Sequence, residues 1–333
     1  MVPSRASLAL VAVVVVLSLS ATRAHYGGVL RVELRDAIEA ADPPQSGPGI
    51  AQLNGPFTVT RWEAGHRAVY AADENAAGGR PFLDSVDVQM ARPMRDRAIE
   101  LGRAEIVELA PNELRRAPAG QRIWSSSPVR LIALVFGPRV EDARIREALA
   151  LSVDRAAIHN VLLQRQGEIS GGLLPQWISG HAFLFSAAPD VGRARSLTAG
   201  VPAVSRTLSL AAEDRAMADR IALNARDAGL LISVLPATAQ ADVRLSQARI
   251  GFPNPAQALP AIATALGLPE PPRADTPDAL YATERALLDG HRVIPLFHLP
   301  DVYAVSARVK GGPGITPLGE WRFENLWLEP GRP

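Results

Sequence analysis

The chain has 333 residues, of which 47% are hydrophobic and 21% are charged, and its formal net charge is +1. This is the composition of a folded globular protein, and the absence of a basic run interleaved with aromatic residues argues against nucleic acid as a partner. The sequence contains no cysteine, which excludes disulfides, thiol catalysis and cysteine-ligated metal centres.

The N-terminal segment has the pattern of a secretory signal peptide. Arg5 supplies a positive charge, residues 8–19 are apolar apart from Ser18, and small residues lead up to Ala24. The apolar stretch is shorter than the roughly 20 residues that span a membrane, although an uncleaved anchor is the alternative. We therefore predict a signal peptide over residues 1–24, cleaved near Ala24, and a periplasmic protein that is not a lipoprotein because no cysteine follows the segment.

Strand patterns dominate the next third of the chain. Residues 29–34 alternate apolar and polar side chains, and a turn at residues 64–66 joins two further candidates into a hairpin. A helix ended by Gly102 is predicted at residues 95–102. The predicted strands are residues 29–34, 57–63, 67–71, 86–90, 106–109 and 130–136.

Helices and strands then alternate. Residues 142–164 contain two helical segments, the second capped by Asp154 with Ala157, Ile158, Val161 and Leu162 on its buried face. Residues 207–235 read as a parallel β-α-β unit. The remaining predictions are a strand at residues 242–246, a helix at residues 277–288 capped by Thr276, strands at residues 293–299 and 302–308, and a last strand within residues 321–328.

This order predicts an α/β fold, and the motifs of common enzyme classes are missing from it. The sequence has no phosphate-binding loop, no Gly-x-Ser-x-Gly elbow and no His-x-x-x-His pair. The acidic pair Glu213-Asp214 is read as helix N-terminal charge. We therefore expect no enzyme activity, no cofactor and no metal site.

Seven segments, in order along the chain, resemble the family 5 extracellular solute-binding proteins, the peptide- and nickel-binding receptors of ABC importers. The most specific is residues 145–155 (Ile-Arg-Glu-Ala-Leu-Ala-Leu-Ser-Val-Asp-Arg). The others are Gly-Gly-Val-Leu at residues 27–30, Gly-Pro-Phe at 55–57 with Trp62 and Gly65, Gly-Gly-Arg-Pro-Phe-Leu-Asp at 78–84, Leu-Leu-Pro at 173–175, Pro-Asp at 189–190, and Ile-Pro-Leu-Phe-His at 294–298 with Val-Lys-Gly at 309–311.

The resemblance implies a periplasmic binding protein type II-like fold, with two lobes of mixed sheet around a closing cleft. The chain departs from the family by being shortened between about residues 42 and 53, so the first lobe is expected to be truncated. The implied division is a signal peptide at residues 1–24, a remnant of the first lobe with crossover strands at 25–136, a second lobe at 137–250, and a return to the first lobe with C-terminal strands at 251–333.

A second departure concerns the segment that carries the ligand loop in the relatives. Their aspartate, which pairs with the amino group of a bound peptide, falls on Gly251 here. The candidate ligand-binding residues that the resemblance implies are Phe252, Asn254, Trp177 and His298. Each also has a structural interpretation: Phe252 as a core residue, Asn254 as a turn residue, Trp177 as a packing residue and His298 as a buried, hydrogen-bonded histidine.

The resemblance implies a monomeric periplasmic receptor that binds a small, peptide-like solute and delivers it to an ABC permease in the inner membrane. Two alternatives stay open from the sequence. The first is a degenerate paralogue that acts as an envelope sensor or interaction module without transport. The second is an exported enzyme.

Overall fold

The computed structural model describes residues 24–35, 56–90, 97–116, 121–179 and 186–330. Within these ranges the strands are β1 (Val29–Leu34), β2 (Phe57–Glu63), β3 (Arg67–Ala72), β4 (Ser85–Met90), β5 (Ile106–Glu108), β6 (Arg122–Phe136), β7 (Glu168–Ile169), β8 (Thr207–Ala212), β9 (Leu231–Pro236), β10 (Val243–Arg249), β11 (Val293–Val305), β12 (Val309–Lys310) and β13 (Trp327–Leu328). The α-helices are α1 (Ala143–Ser152), α2 (Arg155–Val161), α3 (Gln176–Ser179), α4 (Val191–Thr198), α5 (Arg215–Asp227), α6 (Pro255–Ala265) and α7 (Pro277–Leu288).

One mixed sheet of 11 strands runs through the described part of the molecule, in the order β2-β3-β4-β1-β5-β11-β6-β10-β8-β9 with β7 added beside β11. Strands β1, β4 and β5 are parallel to one another, as are β8, β9 and β10. The α/β fold class that the sequence predicted is therefore confirmed.

The long antiparallel pair β6 and β11 joins the two ends of this sheet. The sequence predicted two strands separated at Pro300-Asp301, but β11 is continuous and its register against β6 shifts at Pro295–Phe297 and at Leu299–Val302. Because proline has no N–H to donate to the ladder, bulges at these points let one strand pass both prolines. Both halves of the sheet consequently depend on the same two strands.

Separate hydrophobic cores pack against the two ends. At the β2–β5 end, buried residues from β1, β3 and β4 meet the C-terminal aromatic residues Trp321 and Phe323. At the other end, α1, α2, α4 and α5 cover one face of the sheet, while α6 and α7 cover the opposite face of β6 and β10. The four-part division drawn from the sequence stays a prediction. After β10, helices α6 and α7 pack on β6 and β10, and the chain then pairs with β5 through β11.

Side-chain oxygens cap six of the helices at their N-termini. The Asp154 carboxylate accepts from Ala157 N at 2.9 Å, and Thr276 Oγ1 accepts from Ala279 N at 3.3 Å, as the sequence predicted. Asp142, Asp190, Asp214 and Asn254 cap α1, α4, α5 and α6 in the same way. At the end of α5, Gly229 takes a φ of +77°, which also agrees with the expected helix stop.

Three further elements differ from the sequence predictions. Residues 97–102 form turns, not a helix, and β6 begins at Arg122, eight residues before the predicted start. Helix α6 was not predicted, because two prolines fall within 11 residues; Pro255 lies in the first turn, where its missing N–H is not needed.

Almost all of the predicted signal peptide lies in residues 1–23, outside the described residues, so it stays a prediction. No helix in the described ranges combines the length and apolar character needed to cross a bilayer.

Candidate ligand-binding cleft

A cavity of about 890 Å³ lies between the two ends of the sheet. Its floor is formed by β6 and β11, at Arg130, Ile132, Leu299, Pro300 and Val302. One wall consists of Arg35, just after β1, and of residues at and just after the end of β5, namely Glu108, Leu109, Ala110, Pro111 and Glu113. The opposite wall comes from the C-terminal ends of α2, β8 and β9 and from β10. The cleft therefore lies outside the carboxyl ends of parallel strands on both sides, where α/β sheets commonly bind ligands.

A buried ion network lies at the floor of this cleft, and two of its four members, Glu108 and Arg130, line the cavity. The Arg130 guanidinium lies between the carboxylates of Glu108 and Asp301 and bonds to both. Arg249 Nη1 lies 2.6 Å from the other Asp301 oxygen, and Arg249 Nη2 donates to Leu318 O at 2.8 Å. The network thus joins β5, β6, β10 and β11 at the point where the β6–β11 register shifts.

The charges of the network stabilise one another's ionised forms. Burial opposes ionisation of Asp301, but the adjacent Arg130 and Arg249 guanidiniums outweigh it and hold the pKa of Asp301 below its usual value. Burial likewise disfavours the charged form of Arg130, and Glu108 and Asp301 raise its pKa well above the usual value. Two guanidiniums and two carboxylates therefore balance formally, and the floor holds no net charge for a ligand to neutralise.

The side walls present mostly aliphatic surface. Val161, at the end of α2, was predicted to be buried but is 71% exposed and lines the cleft beside Leu162 and Leu163. Met217 and Leu245 extend this surface. Among the described residues that line the cavity, none is aromatic and none is a histidine. The described lining residues therefore offer a ligand aliphatic contacts and polar groups but no aromatic ring to stack on.

Seven charged residues line the cleft, and they differ in how fully they are engaged: Arg35, Glu108, Glu113, Arg130, Glu213, Asp214 and Arg244. Glu108 and Arg130 bind each other, and the Asp214 carboxylate accepts from Met217 N at 3.0 Å. Arg244 donates to the carbonyls of Ala237 and Ala239 at 3.0 and 3.1 Å. No described residue pairs with the side chain of Arg35 or of Glu213.

Phe252 and Asn254 follow β10 and do not line this cavity. Phe252 is 40% exposed, so it is not a core residue. The Asn254 side chain accepts from Ala256 N at 2.9 Å and caps α6, in keeping with its structural interpretation. A ligand-binding role for either residue stays a prediction.

Trp177 lies in the short helix α3 and is 41% exposed. Its Nε1 donates to Pro128 O at 3.2 Å, which ties α3 to β6. Trp177 is also not among the residues that line the cavity, and its role as a ligand contact stays a prediction.

His298 is 1% exposed and lies in β11. Its Nε2 is 3.0 Å from Leu173 O, and because a carbonyl can only accept, Nε2 carries the proton. Burial lowers the pKa of His298 to about 4, so the ring is neutral at physiological pH. His298 does not line the cavity either, and this environment matches its structural interpretation.

Sequence reasoning missed the charged residues of the cleft. Glu213 and Asp214 were read together as helix N-terminal charge; Asp214 caps α5, and both residues also line the cavity. Arg155, at the start of α2, donates to the buried carbonyl of Pro295 from Nε and Nη2, at 3.2 and 3.1 Å. The usable signal was position, because Arg35 and Glu213 each follow the end of a parallel strand. Within the described ranges, no group of three or more His, Asp or Glu side chains is arranged to hold a metal ion.

Solved structures with the same architecture are periplasmic binding proteins of type II. A dipeptide-binding protein from Pseudoalteromonas sp. SM9913 in complex with Met-Leu aligns with a TM-score of 0.70 and 14% identity, covering 83% of this chain and 64% of that chain. The oligopeptide-binding protein AppA from Bacillus subtilis, in complex with a nonapeptide, aligns with a TM-score of 0.67 and 12% identity over 83% and 66% of the two chains. NikA from Staphylococcus aureus in complex with Ni(L-His)2 gives 0.68 and 14% over 83% and 69%. The chain therefore has the type II periplasmic binding protein fold.

The family model for bacterial extracellular solute-binding proteins, family 5 Middle, matches residues 10–227. The chain belongs to this family, as its sequence motifs predicted. A curated relative, the probable di/tripeptide-binding protein 5 of Pseudomonas aeruginosa (strain UCBPP-PA14), is 24% identical over 185 residues, which are 53% of this chain and 35% of that protein. The chain thus matches about a third of the curated relative's length and about two thirds of the solved structures.

Proposed function

We propose that the protein is an exported receptor that binds a small, peptide-like solute in the cleft between the two ends of its sheet and presents it, as a monomer, to an ABC permease. The observation that carries this proposal is the cavity of about 890 Å³, whose floor consists of the two strands shared by both ends of the molecule. Its volume falls within the roughly 300–1,000 Å³ range of small-molecule sites.

The floor also supports a closing movement. The β6–β11 ladder changes register twice beneath the cavity, whereas the strands on either side pair regularly with their neighbours. Bending at such irregular points would bring the two walls together while each core stays intact. A solute that contacts both walls would favour the closed form, because it gains contacts there that the open form cannot supply.

A thermal-shift screen tests the proposal directly. Alanine peptides of two to five residues, mixed-sequence di- and tripeptides, nickel–histidine and sugars would each be added to the intact protein. A true ligand at 100 times its Kd should add about 2.7 kcal/mol to the free energy of unfolding. We expect at least one peptide to do so.

A cavity-filling variant shows whether the response comes from this cleft. Ala216 is an exposed residue of α5 that lines the cavity, so Ala216→Trp should abolish the shift by occupying the space. Ala282→Trp is the matched control, because Ala282 is an exposed residue of α7 that does not line the cavity. A shift that persists in A216W, or no shift with any solute, would contradict the proposed function.

A further inference from the structure

The cleft carries two charged side chains of opposite sign, one on each wall, and neither is neutralised within the described part of the protein. Arg35 follows β1 on one wall, and Glu213 follows β8 on the other. From them we propose that the ligand is dipolar: its anionic group binds Arg35, its cationic group binds Glu213, and it spans the cleft between them. This inference rests on the proposed function and specifies the ligand's charge pattern.

The other charged groups of the cleft are already engaged. Glu108 and Arg130 belong to the ion network that they form with Asp301 and Arg249, and Glu113 Oε2 accepts from Ala110 N at 2.7 Å. The Asp214 carboxylate is used by the backbone of α5. A ligand that competed for these groups would have to break existing bonds, whereas one that binds Arg35 and Glu213 would not.

Arg35 and Glu213 are held in place through their own backbones and their neighbours. Arg35 N donates to the buried carboxylate of Glu108 at 3.1 Å, which ties the end of β1 to the floor of the cleft. Glu213 lies between the buried Ala212, at the end of β8, and Asp214, the cap of α5. Each charge therefore extends from an ordered strand end.

Closing the cleft strengthens the requirement for complementary charge. Removal of water lowers the effective dielectric constant around both side chains, so an unpaired charge becomes costly and a paired one more favourable. A neutral solute would leave both charges desolvated and unpaired. A solute with only one charged end would leave either Arg35 or Glu213 desolvated and unpaired. The open, hydrated form tolerates either case, which makes closure the step that selects for charge.

Arg244 adds positive charge on the same wall as Glu213. Its guanidinium donates to two backbone carbonyls and meets no carboxylate among the described residues. Arg244 pairs with Ala211 in the β8–β10 ladder, and Ala211 lies two residues before Glu213 in the sequence. Of the two carboxylates on this wall, Asp214 already accepts from Met217 N, so Glu213 is the one that is free of a described partner and can bind a cation.

Short alanine peptides with blocked ends provide the test. Each length from two to five residues would be prepared with free ends, with an acetylated amino end, with an amidated carboxyl end and with both ends blocked. Isothermal titration of the intact protein should show the free form binding best. Blocking either end should weaken binding about tenfold to a hundredfold, the range for a lost hydrogen bond to a charged group.

Charge-neutral variants identify the partner of each end. In Glu213→Gln, the free and acetylated peptides should bind with similar affinity, while the effect of amidation persists. In Arg35→Gln, the free and amidated peptides should bind alike, while the effect of acetylation persists. Glu270→Gln and Arg285→Gln are matched controls, because both residues are exposed, lie away from the cavity, and should leave all four affinities unchanged.

Failure of this inference can be distinguished from failure of the proposed function. If solutes bind and A216W abolishes their binding, but end-blocking has no effect or no alanine peptide is among the ligands, the dipolar assignment is wrong and the receptor proposal stands. The assignment is also wrong if E213Q and R35Q weaken all four peptide forms equally, which would indicate that the two residues pair with each other on closure. If no solute binds at all, both proposals fall.

Discussion

At the scale of single residues, Asp301 is a buried carboxylate held by two guanidiniums, those of Arg130 and Arg249. It is completely buried between two guanidiniums, at the point where β11 changes register against β6. A buried ion pair contributes little when intact compared with apolar packing, but removing one partner leaves the others desolvated and uncompensated. The stability of the cleft floor therefore depends strongly on this one carboxylate.

We predict that Asp301→Asn lowers the free energy of unfolding by about 3–5 kcal/mol at pH 7, measured by urea denaturation. Because Arg130 and Arg249 lower the pKa of Asp301 in the folded state, its contribution is fully present above the unfolded pKa and is lost as pH falls through the folded one. The difference between wild type and D301N should therefore stay constant down to about pH 4 and narrow below it. Asp275→Asn, at an exposed pair with Arg273, should change stability by less than about 0.5 kcal/mol.

His298 gives a second prediction, with pH dependence in a different range. Its folded-state pKa of about 4 lies below the ordinary value of 6.5, so the unfolded chain takes up this proton first as pH falls. The contribution of neutral His298 should be complete above pH 6.5 and decline by about 3 kcal/mol as pH falls to 4. In His298→Gln, whose amide can still donate to Leu173 O, that part of the acid sensitivity should disappear.

The measurement is the free energy of unfolding of wild type and H298Q at several pH values between 7 and 4. The matched control is His66→Gln, which makes the same substitution at an exposed histidine. Equal slopes for wild type and H298Q would show that His298 is accessible to protons in the folded state.

At the scale of secondary-structure elements, helix α6 tests the two interpretations of Asn254. If the residue acts as a cap, Asn254→Ala should lower the free energy of unfolding by about 1 kcal/mol, while Asn254→Ser should be nearly neutral because serine also caps. Ligand affinity measured on both variants then separates the roles. A serine variant that folds normally but loses ligand would establish the binding role that the sequence suggested.

Most elements could be predicted from the sequence because their signals are local. The alternation in β1, the turn between β2 and β3, and the caps Asp154 and Thr276 depend on neighbouring residues, and all were located correctly. The continuity of β11 could not be predicted, because Pro300 reads locally as a break and only pairing with β6 shows a bulge. Val161 was placed in the core because helix periodicity does not reveal where a helix meets a cavity.

The cleft was harder to predict than the fold for a physical reason. The members of its ion network, Glu108, Arg130, Arg249 and Asp301, are far apart in sequence and meet only through the sheet order. The sequence indicated a missing carboxylate at Gly251, and the structure brings another, Glu213, to the cleft from a different element. The family resemblance identified the fold, but it could not identify Arg35 and Glu213 as cleft residues, because neither lies in a segment that matches a family motif.

At the scale of the whole molecule, the shared strands β6 and β11 predict cooperative unfolding. The core at the β2–β5 end and the cores at the other end all contain residues of β6 or β11, so unfolding of either end would expose apolar residues of these shared strands. Urea unfolding followed by tryptophan fluorescence, to which Trp124, Trp321 and Trp327 at the β2–β5 end contribute, should therefore coincide with unfolding followed by circular dichroism. A fluorescence transition at lower urea than the circular dichroism transition would show that the β2–β5 end unfolds independently.

The two extremities of the described chain meet at the β2–β5 end. The ring of His25 lies 5.5 Å from that of Trp327, edge to face, and Gly28 lies against Leu328. Residues at the start of β1 are thus separated from their C-terminal neighbours by roughly 300 residues of sequence, so these contacts are strongly non-local. During synthesis, β1 leaves the ribosome long before those neighbours do. Until then its apolar face has no cover from those residues. Completion of the β2–β5 end therefore requires nearly the whole chain, up to Trp327.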